Sequence, residues 1–540
     1  MNRYNGNARA GMSDRTILLA ILFLAIFYRG AYLNVQPIGY FGDEGWYAST
    51  VKNICNDPKN FLYPVCVNGP SIHHFDPGTP SGKILINKPP AFFWLSALCA
   101  RPFGCNEESM RFFSVICGSA TVLAVYLFAR VLFDRRTGLL AAFLLASYPA
   151  HIILSSSILL ETASLCYTTL IAYLFIKGTY DRDKRPLIAA IFLTALLMLT
   201  RGPEIAILLG ILSGLSIIYW RERKTYIGLA LLALMGGILL SLIWYVMVWL
   251  TPDRYDGFLW CQGHNVWYLL FRYNLTARLD HHIDLFRQAG GFFKNRVDIV
   301  IPVLAAFMMA AALFMRRQQA TEERRRHGLI ILLSSFFLYF IPVFLLNSPA
   351  WRRMAPLFCI YAVIISIVMC ALYDRFRMRH LRTAAAVFAL AALAIRPMVL
   401  LHPPFSILKT GYPSTAQGYP RDEMCRIYKA VGEYIKDRTD GYNFSALVPE
   451  ANAIMTYHTG KLALSSGRLP EPAMRYVLNR EVRYVGVTDL TGKEYEGLLK
   501  ERGRSINSDA GIPEICHYRF YDCFPEEKIM PDKYARQERP

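Results

Sequence analysis

Apolar residues run along this chain in windows of membrane length, separated by short polar connections. A helical crossing needs about 20 mostly apolar residues, and windows of that kind fall at 16–33, 111–132, 138–154, 158–176, 187–202, 204–220, 226–250, 297–315, 328–346, 354–373 and 383–401. The first follows Arg9 and Arg15, but Tyr28-Arg29-Gly30-Ala31-Tyr32 holds no small-x-small cleavage site, so it reads as a retained anchor. Beyond about residue 402 the pattern is that of a water-soluble domain. Helical runs at 421–438, 451–458, 471–480 and 492–502 alternate with strand-like Phe444–Val448, Lys461–Leu464, Val482–Val487 and Cys516–Tyr521. The pattern predicts a mainly α, polytopic membrane protein of about 11 transmembrane helices over residues 1–401, with outer loops at 34–110 and 251–296. Residues 402–540 are predicted to form a small extracytoplasmic α/β domain.

The 540 residues are 54% hydrophobic, with a mean hydropathy of +0.27, too apolar for an ordinary soluble enzyme. A net charge of +19 raises the question of nucleic acid. Its location answers it: Arg135 and Arg136, Lys177 to Arg185, Arg221 to Lys224, Arg316 to Arg326 and Arg375 to Arg382 all lie in alternate connections. A DNA-binding stripe would not respect that alternation, whereas positive-inside orientation requires it. The N-terminus is therefore expected in the cytoplasm, and the loop after the first window and the C-terminal domain outside. Cys117, Cys166, Cys359 and Cys370 fall inside windows and the other eight cysteines on the outer side, where Cys55–Cys66 and Cys516–Cys523 are the expected pairs. No spacing matches a zinc site.

Candidate chemistry collects at the outer boundary. Asp43 and Glu44 are adjacent carboxylates where the chain leaves the first window, followed by Trp46 and Tyr47 at headgroup level. Tyr47, Val51, Ile54 and Cys55 recur at helical spacing, which predicts a short helix over 44–55 lying on the outer leaflet. The Pro-, Gly- and Asn-rich stretch 56–87 reads as an ordered outer loop, its His73-His74 pair solvated. Asn87-Lys88-Pro89-Pro90 then sets a cation at an extended approach to a helix, suited either to function or to snorkelling. Glu161 is an acid within an apolar window, which calls for a protein or water-filled surrounding. Thr200-Arg201-Gly202-Pro203-Glu204 puts a cation in an outer turn; it asks for an anion, and Glu204 is one candidate. In the 251–298 loop, Trp260, Trp267, His281 and His282 suit either the membrane surface or an access route for substrate. Arg352 and Arg353 stand in a further basic outer turn. The C-terminal region shows no Gly-rich phosphate loop and no nucleophile elbow.

The ordered set Asp43-Glu44, Lys88-Pro89-Pro90, Glu161, Thr200-Arg201-Gly202-Pro203 and the basic turn before the tenth window resembles the GT-C class of polyprenyl-phosphate-sugar-dependent membrane glycosyltransferases. The layout is most similar to the branch with the lipid A aminoarabinose transferases and the dolichyl-phosphate-mannose protein mannosyltransferases. It differs from the lipid A branch in Asn87, where that branch tends to carry an acid, and in Arg201, where it tends to carry Lys. The resemblance implies transfer of a hexosyl or pentosyl unit from a polyprenyl-phosphate donor to a hydroxyl of a glycan, lipid or protein acceptor at the outer face of a bacterial inner membrane. It implies inversion, with Asp43 as general base and Glu44 orienting it or the acceptor. Lys88, Arg201, Arg352 and Arg353 would take the donor phosphate. Glu161, Tyr47, His281 and His282 would contact substrates, Glu161 alternatively holding a divalent cation; no other cofactor is implied. Two other functions fit a charged membrane bundle: a lipid or solute transporter or flippase, which would carry ionisable groups at mid-membrane and broken-helix repeats, and an oligosaccharide ligase or polymerase. A sensor whose outer domain binds ligand is a third.

Overall fold

The computed structural model describes residues 14–33, 43–57, 65–69, 82–85, 88–250, 320–346, 355–375, 421–438, 444–448, 464–465, 482–488, 504–507, 509–510 and 518–523, with single positions 455, 457 and 459. The windows at 297–315 and 383–401 lie outside the described residues, as do the helical runs at 471–480 and 492–502.

The chain begins with α1 (Asp14–Tyr32). Its Leu19 and Phe23 are 66% and 72% exposed, one turn apart on a face that only lipid would suit. The opposite face carries Arg29, wholly buried, which donates from Nη1 to Ala25 O at 2.7 Å and meets His151 Nδ1 at 2.6 Å. An ion pair, Arg135 with Asp14, joins the other end of α1 to α5.

Next comes α2 (Glu44–Asn56), which corrects the expectation of a helix lying on the leaflet. Tyr47, Val51 and Ile54 are buried in protein, against α3 (Ala91–Ala100). Helical periodicity shows that one face is apolar; it does not say what covers it. Between them, within the stretch read as an ordered outer loop, β1 (Val65–Gly69) and β2 (Gly82–Leu85) pair antiparallel, Gly69 opposite Gly82. Cys55 bonds Cys105, fifty residues on, just past α3. This replaces the expected Cys55–Cys66 pair: packing of α2 against α3, rather than nearness in sequence, brings the two β-carbons within reach.

The bundle continues with α4 (Phe112–Leu132), α5 (Arg135–Ala146), α6 (Pro149–Ser155), α7 (Leu160–Asp181), α8 (Arg185–Met198) and α9 (Ile205–Trp249). Asp134 caps α5 by accepting from Thr137 N at 2.8 Å. The window at 138–154 is a helix pair bent by 65° at Tyr148-Pro149, since proline offers no amide to continue the ladder. The innermost helix is α7, packed on α4, α8 and α9 with Ile171, Phe175 and Ile176 fully enclosed. The last helix, α9, is twice the length a crossing needs and breaks at Arg223, where φ is −134° and ψ 20°. There Arg223 Nη1 donates to Thr179 O at 2.8 Å and Tyr180 O at 2.5 Å, satisfying carbonyls at the end of α7. Among the described residues, three helices have the length and apolarity of a crossing, four with the bent pair.

Helices α10 (Ala320–Leu346) and α11 (Phe358–Arg375) complete the described membrane part. Against α9, α10 packs closely because Gly210 and Gly214 present no side chain: a Cβ on Gly210 would stand 2.3 Å from Ser335 Cα, and one on Gly214 2.7 Å from Ile331 Cα. This small-xxx-small pair is the usual device for close helix approach in lipid.

In the C-terminal region α12 (Arg421–Ile435) lies with β3 (Phe444–Val448), β4 (Leu464–Ser465), β5 (Val482–Thr488), β6 (Arg504–Ser505) and β7 (Tyr518–Asp522). The sheet order is β4-β3-β5-β7-β6, with β3 parallel to β4 and β5, and β7 antiparallel to β5 and β6. Tyr428, Val431 and Ile435 of α12 bury against Tyr484, Ile506 and Phe520. Cys523 is a free thiol, which removes the expected Cys516–Cys523 pair. Two contacts seat this region on the membrane part: Lys429 Nζ is 3.1 Å from Glu107 Oε1, and Lys52 Nζ of α2 lies 5.0 Å from the centre of the Tyr457 ring.

Candidate active site

Asp43 is the first residue before α2 and remains half-buried; its carbonyl accepts from Tyr47 N at 3.1 Å. Glu44 has a different surrounding. Successive positions on a helix diverge by about 100°, so Glu44 turns inward, where it is fully enclosed. Its Oε1 is 3.3 Å from Arg111 Nη2 and accepts from Ile158 N at 3.1 Å. Arg111 also donates from Nη1 to Leu33 O at 2.5 Å. Glu44 thus ties the end of α1, the start of α4 and the α6–α7 connection to the helix behind Asp43. Glu44, expected to orient Asp43 or the acceptor, serves in the structure as a buried joint whose Oε1 is occupied by protein. Arg111 is the partner that sequence reasoning missed, because a lone arginine ahead of an apolar window looks like a boundary marker.

Tyr47, one helical turn after Asp43, is 5% exposed and set edge-on to Phe93 of α3, ring centres 5.6 Å apart. Pro89 and Pro90 end the approach to α3, and the first amide of that helix, Ala91 N, donates to Leu199 O at 2.8 Å. Leu199 opens the 199–204 turn, itself closed by Thr200 N and Arg201 N on Leu197 O at 3.0 and 2.7 Å. The segment carrying Lys88 and the turn carrying Arg201 are therefore joined main chain to main chain.

Arg201 lies between two carboxylates. Its Nη1 is 3.4 Å from Glu161 Oε1, in the first turn of α7, and its Nε is 3.3 Å from Glu204 Oε1, just ahead of α9. Burial pulls the guanidinium pKa down, but the charges of Glu204 and Glu161 outweigh it and hold Arg201 firmly protonated; Tyr339 of α10 and Tyr47 are close enough to add to the effect. Burial also pushes the Glu204 carboxyl above its usual range, against the pull of Arg201. Tyr339 was not legible as a site residue, since a tyrosine in an apolar window carries no mark of its own.

The structure thus sets Glu161 and Glu204 against the Arg201 guanidinium, with Tyr47 and Tyr339 near enough to act on its charge, Asp43 one turn from Tyr47 and the Lys88 segment bonded to the arginine turn. Arg352 and Arg353, and His281 and His282, lie outside the described residues. Among the described residues, no group of three or more His, Cys, Asp or Glu side chains is placed to share a metal ion.

Residues 87–249, which carry Lys88, Glu161, Arg201 and Glu204, match the sequence profile of the dolichyl-phosphate-mannose-protein mannosyltransferase family. The ArnT structure from Cupriavidus metallidurans superposes over 93% of this chain and 97% of its own, with a TM-score of 0.57 at 12% identity. The chain has the GT-C glycosyltransferase fold. A second GT-C protein, the oligosaccharyltransferase AglB of Archaeoglobus fulgidus in complex with an inhibitory peptide and a dolichol-phosphate, matches 92% of this chain and 71% of that one, with a TM-score of 0.53 at 14% identity. In sequence, an uncharacterized protein of Aquifex aeolicus is 30% identical over 189 residues. That alignment covers 35% of this chain and spans 34% of the relative.

Proposed function

We propose that this GT-C protein transfers a hexosyl or pentosyl unit from a polyprenyl-phosphate donor to an acceptor hydroxyl at the outer face of the membrane. The observation that carries the reading is the junction at Ala91 and Leu199: it brings the two cationic segments, Lys88 and Arg201, together beside the helix that Asp43 begins. The undecaprenyl phosphate bound to an ArnT structure that matches over 94% of this chain, and the dolichol-phosphate bound to AglB, support the donor class.

The residue types suit the chemistry. The anomeric carbon–oxygen bond to phosphate breaks, its electron pair leaves with the phosphate, and the acceptor oxygen bonds to the anomeric carbon from the opposite face. Phosphate is already a stable leaving group, so the site needs cations where charge grows, and Lys88 and Arg201 supply them, with Arg352 and Arg353. The hydroxyl proton passes to Asp43, which is half-buried. Glu44 holds that helix from within, and Glu161 and Tyr47 contact substrate. The acceptor is a glycan, lipid or protein, His281 and His282 belong to its access route, and no organic cofactor is called for. Orientation follows the charge pattern: N-terminus in the cytoplasm of a bacterial cell, plasma membrane around residues 1–401, and residues 402–540 an α/β domain outside it.

Asp43→Asn should insert and fold normally yet lose transfer by about 10²- to 10⁴-fold, the usual contribution of a general base. Mass analysis of products from purified protein and a panel of polyprenyl-phosphate sugars measures it; near-wild-type turnover would remove Asp43 from the role.

A further inference from the structure

One guanidinium between two carboxylates has one acid more than it can neutralise, and the two acids are not equivalent. Glu204 belongs to the same turn as Arg201, is wholly enclosed, and has its backbone fixed by Ile207 N on Glu204 O at 3.0 Å. Glu161 comes from a different helix, and its side chain keeps 7% exposure, against 19% for Arg201. Of the two carboxylates, Glu161 is therefore the one that the arginine's own turn does not hold in place. Glu204 sits on Nε, and Glu161 sits on the Nη end. A guanidinium presents its donors in a rigid fork that fits one planar or tetrahedral anion at a time along that end.

We propose that Glu161 is an exchangeable counter-ion: the donor phosphate displaces it from Arg201, and the released carboxylate turns to the hydroxyls of the incoming sugar. The inference rests on Arg201 being a phosphate cation, as in the function proposed above. While the site is empty, Glu161 holds the Nη end of the fork and shares the guanidinium with Glu204. Once the phosphate arrives, exchanging one anion for another keeps the guanidinium paired, and the arrival itself frees the group that recognises the sugar. Donor headgroup and sugar are then read in sequence.

The test uses full-length protein in detergent and a polyprenyl monophosphate without sugar, so that no effect can pass through sugar hydroxyls. Wild type should bind the carrier, and Arg201→Ala should weaken binding. Glu161→Gln should bind it about fivefold more tightly, as expected on removing one competing, partly buried charge. Glu161→Ala should shift in the same direction, and a monodisperse elution profile with unchanged thermal midpoint checks that each variant is folded. Binding that ignores Arg201→Ala overturns the functional reading and this inference with it. Binding that falls in Arg201→Ala but is unchanged or weaker in folded Glu161→Gln overturns the inference alone.

Discussion

At the scale of single residues, the site is a matter of which carboxylate faces where. Asp43 and Glu44 carry the same chemistry side by side in sequence; the helix that starts between them leaves one half-buried and turns the other into contact with Arg111 and Ile158 N. Breaking the buried pair from one side leaves a charge without its partner, which costs on the order of 3–5 kcal/mol. Arg111→Met should therefore lower the thermal midpoint and reduce activity, and adding Glu44→Gln should recover part of the midpoint. Differential scanning fluorimetry of wild type and the two variants measures it; an Arg111→Met protein as stable as wild type would deny the joint its role. Arg201 was legible as a cation needing an anion, and Glu204 as one candidate. Glu161 could not be paired with it from sequence, because helix α7 lies forty residues earlier in the chain and only packing decides its azimuth.

At the scale of elements, apolar windows located helices well because lipid and protein core both select the same side chains over the same length. The windows did not reveal the 65° bend at Pro149 as a change of direction, nor that α9 is continuous apart from Arg223. Cysteine pairing was misread for a related reason: spacing along the chain does not give Cα separation. The bond that forms, Cys55–Cys105, joins the far end of α2 to the segment between α3 and α4. Closing a 50-residue loop removes on the order of 4 kcal/mol of unfolded-state freedom in the chain-entropy treatment. Cys55→Ser should lower the thermal midpoint in non-reducing buffer, with no further drop on adding reductant. Unreduced peptide mapping should recover the Cys55–Cys105 linkage in wild type; finding Cys55 linked to Cys66 would refute it.

At the scale of the whole molecule, the C-terminal region touches the helix that carries Asp43. Tyr457 is 5% exposed, belongs to the buried cluster of the membrane part, and stacks under Lys52. Burial, with Glu107 and Glu44 nearby, pushes its hydroxyl pKa up, so it stays neutral at working pH. Tyr457→Ala should loosen that seat: faster proteolysis between the two parts, and a drop in turnover larger than any change in carrier affinity, followed by limited digestion and by carrier titration. Unchanged digestion would mean that Lys429 and Glu107 suffice to hold the region in place. Where the C-terminal region sits was beyond reach of the sequence, because Tyr457 has no periodic or charged signature.

The joint between Ala91 N and Leu199 O has a further consequence. It is made by peptide groups, so almost any residue may drift through either position without breaking it, while an insertion in either segment would pull the two apart. Structures that share this fold at only 12–14% identity show how few particular side chains the architecture as a whole requires. Length, more than letter, is what this junction asks of the two segments.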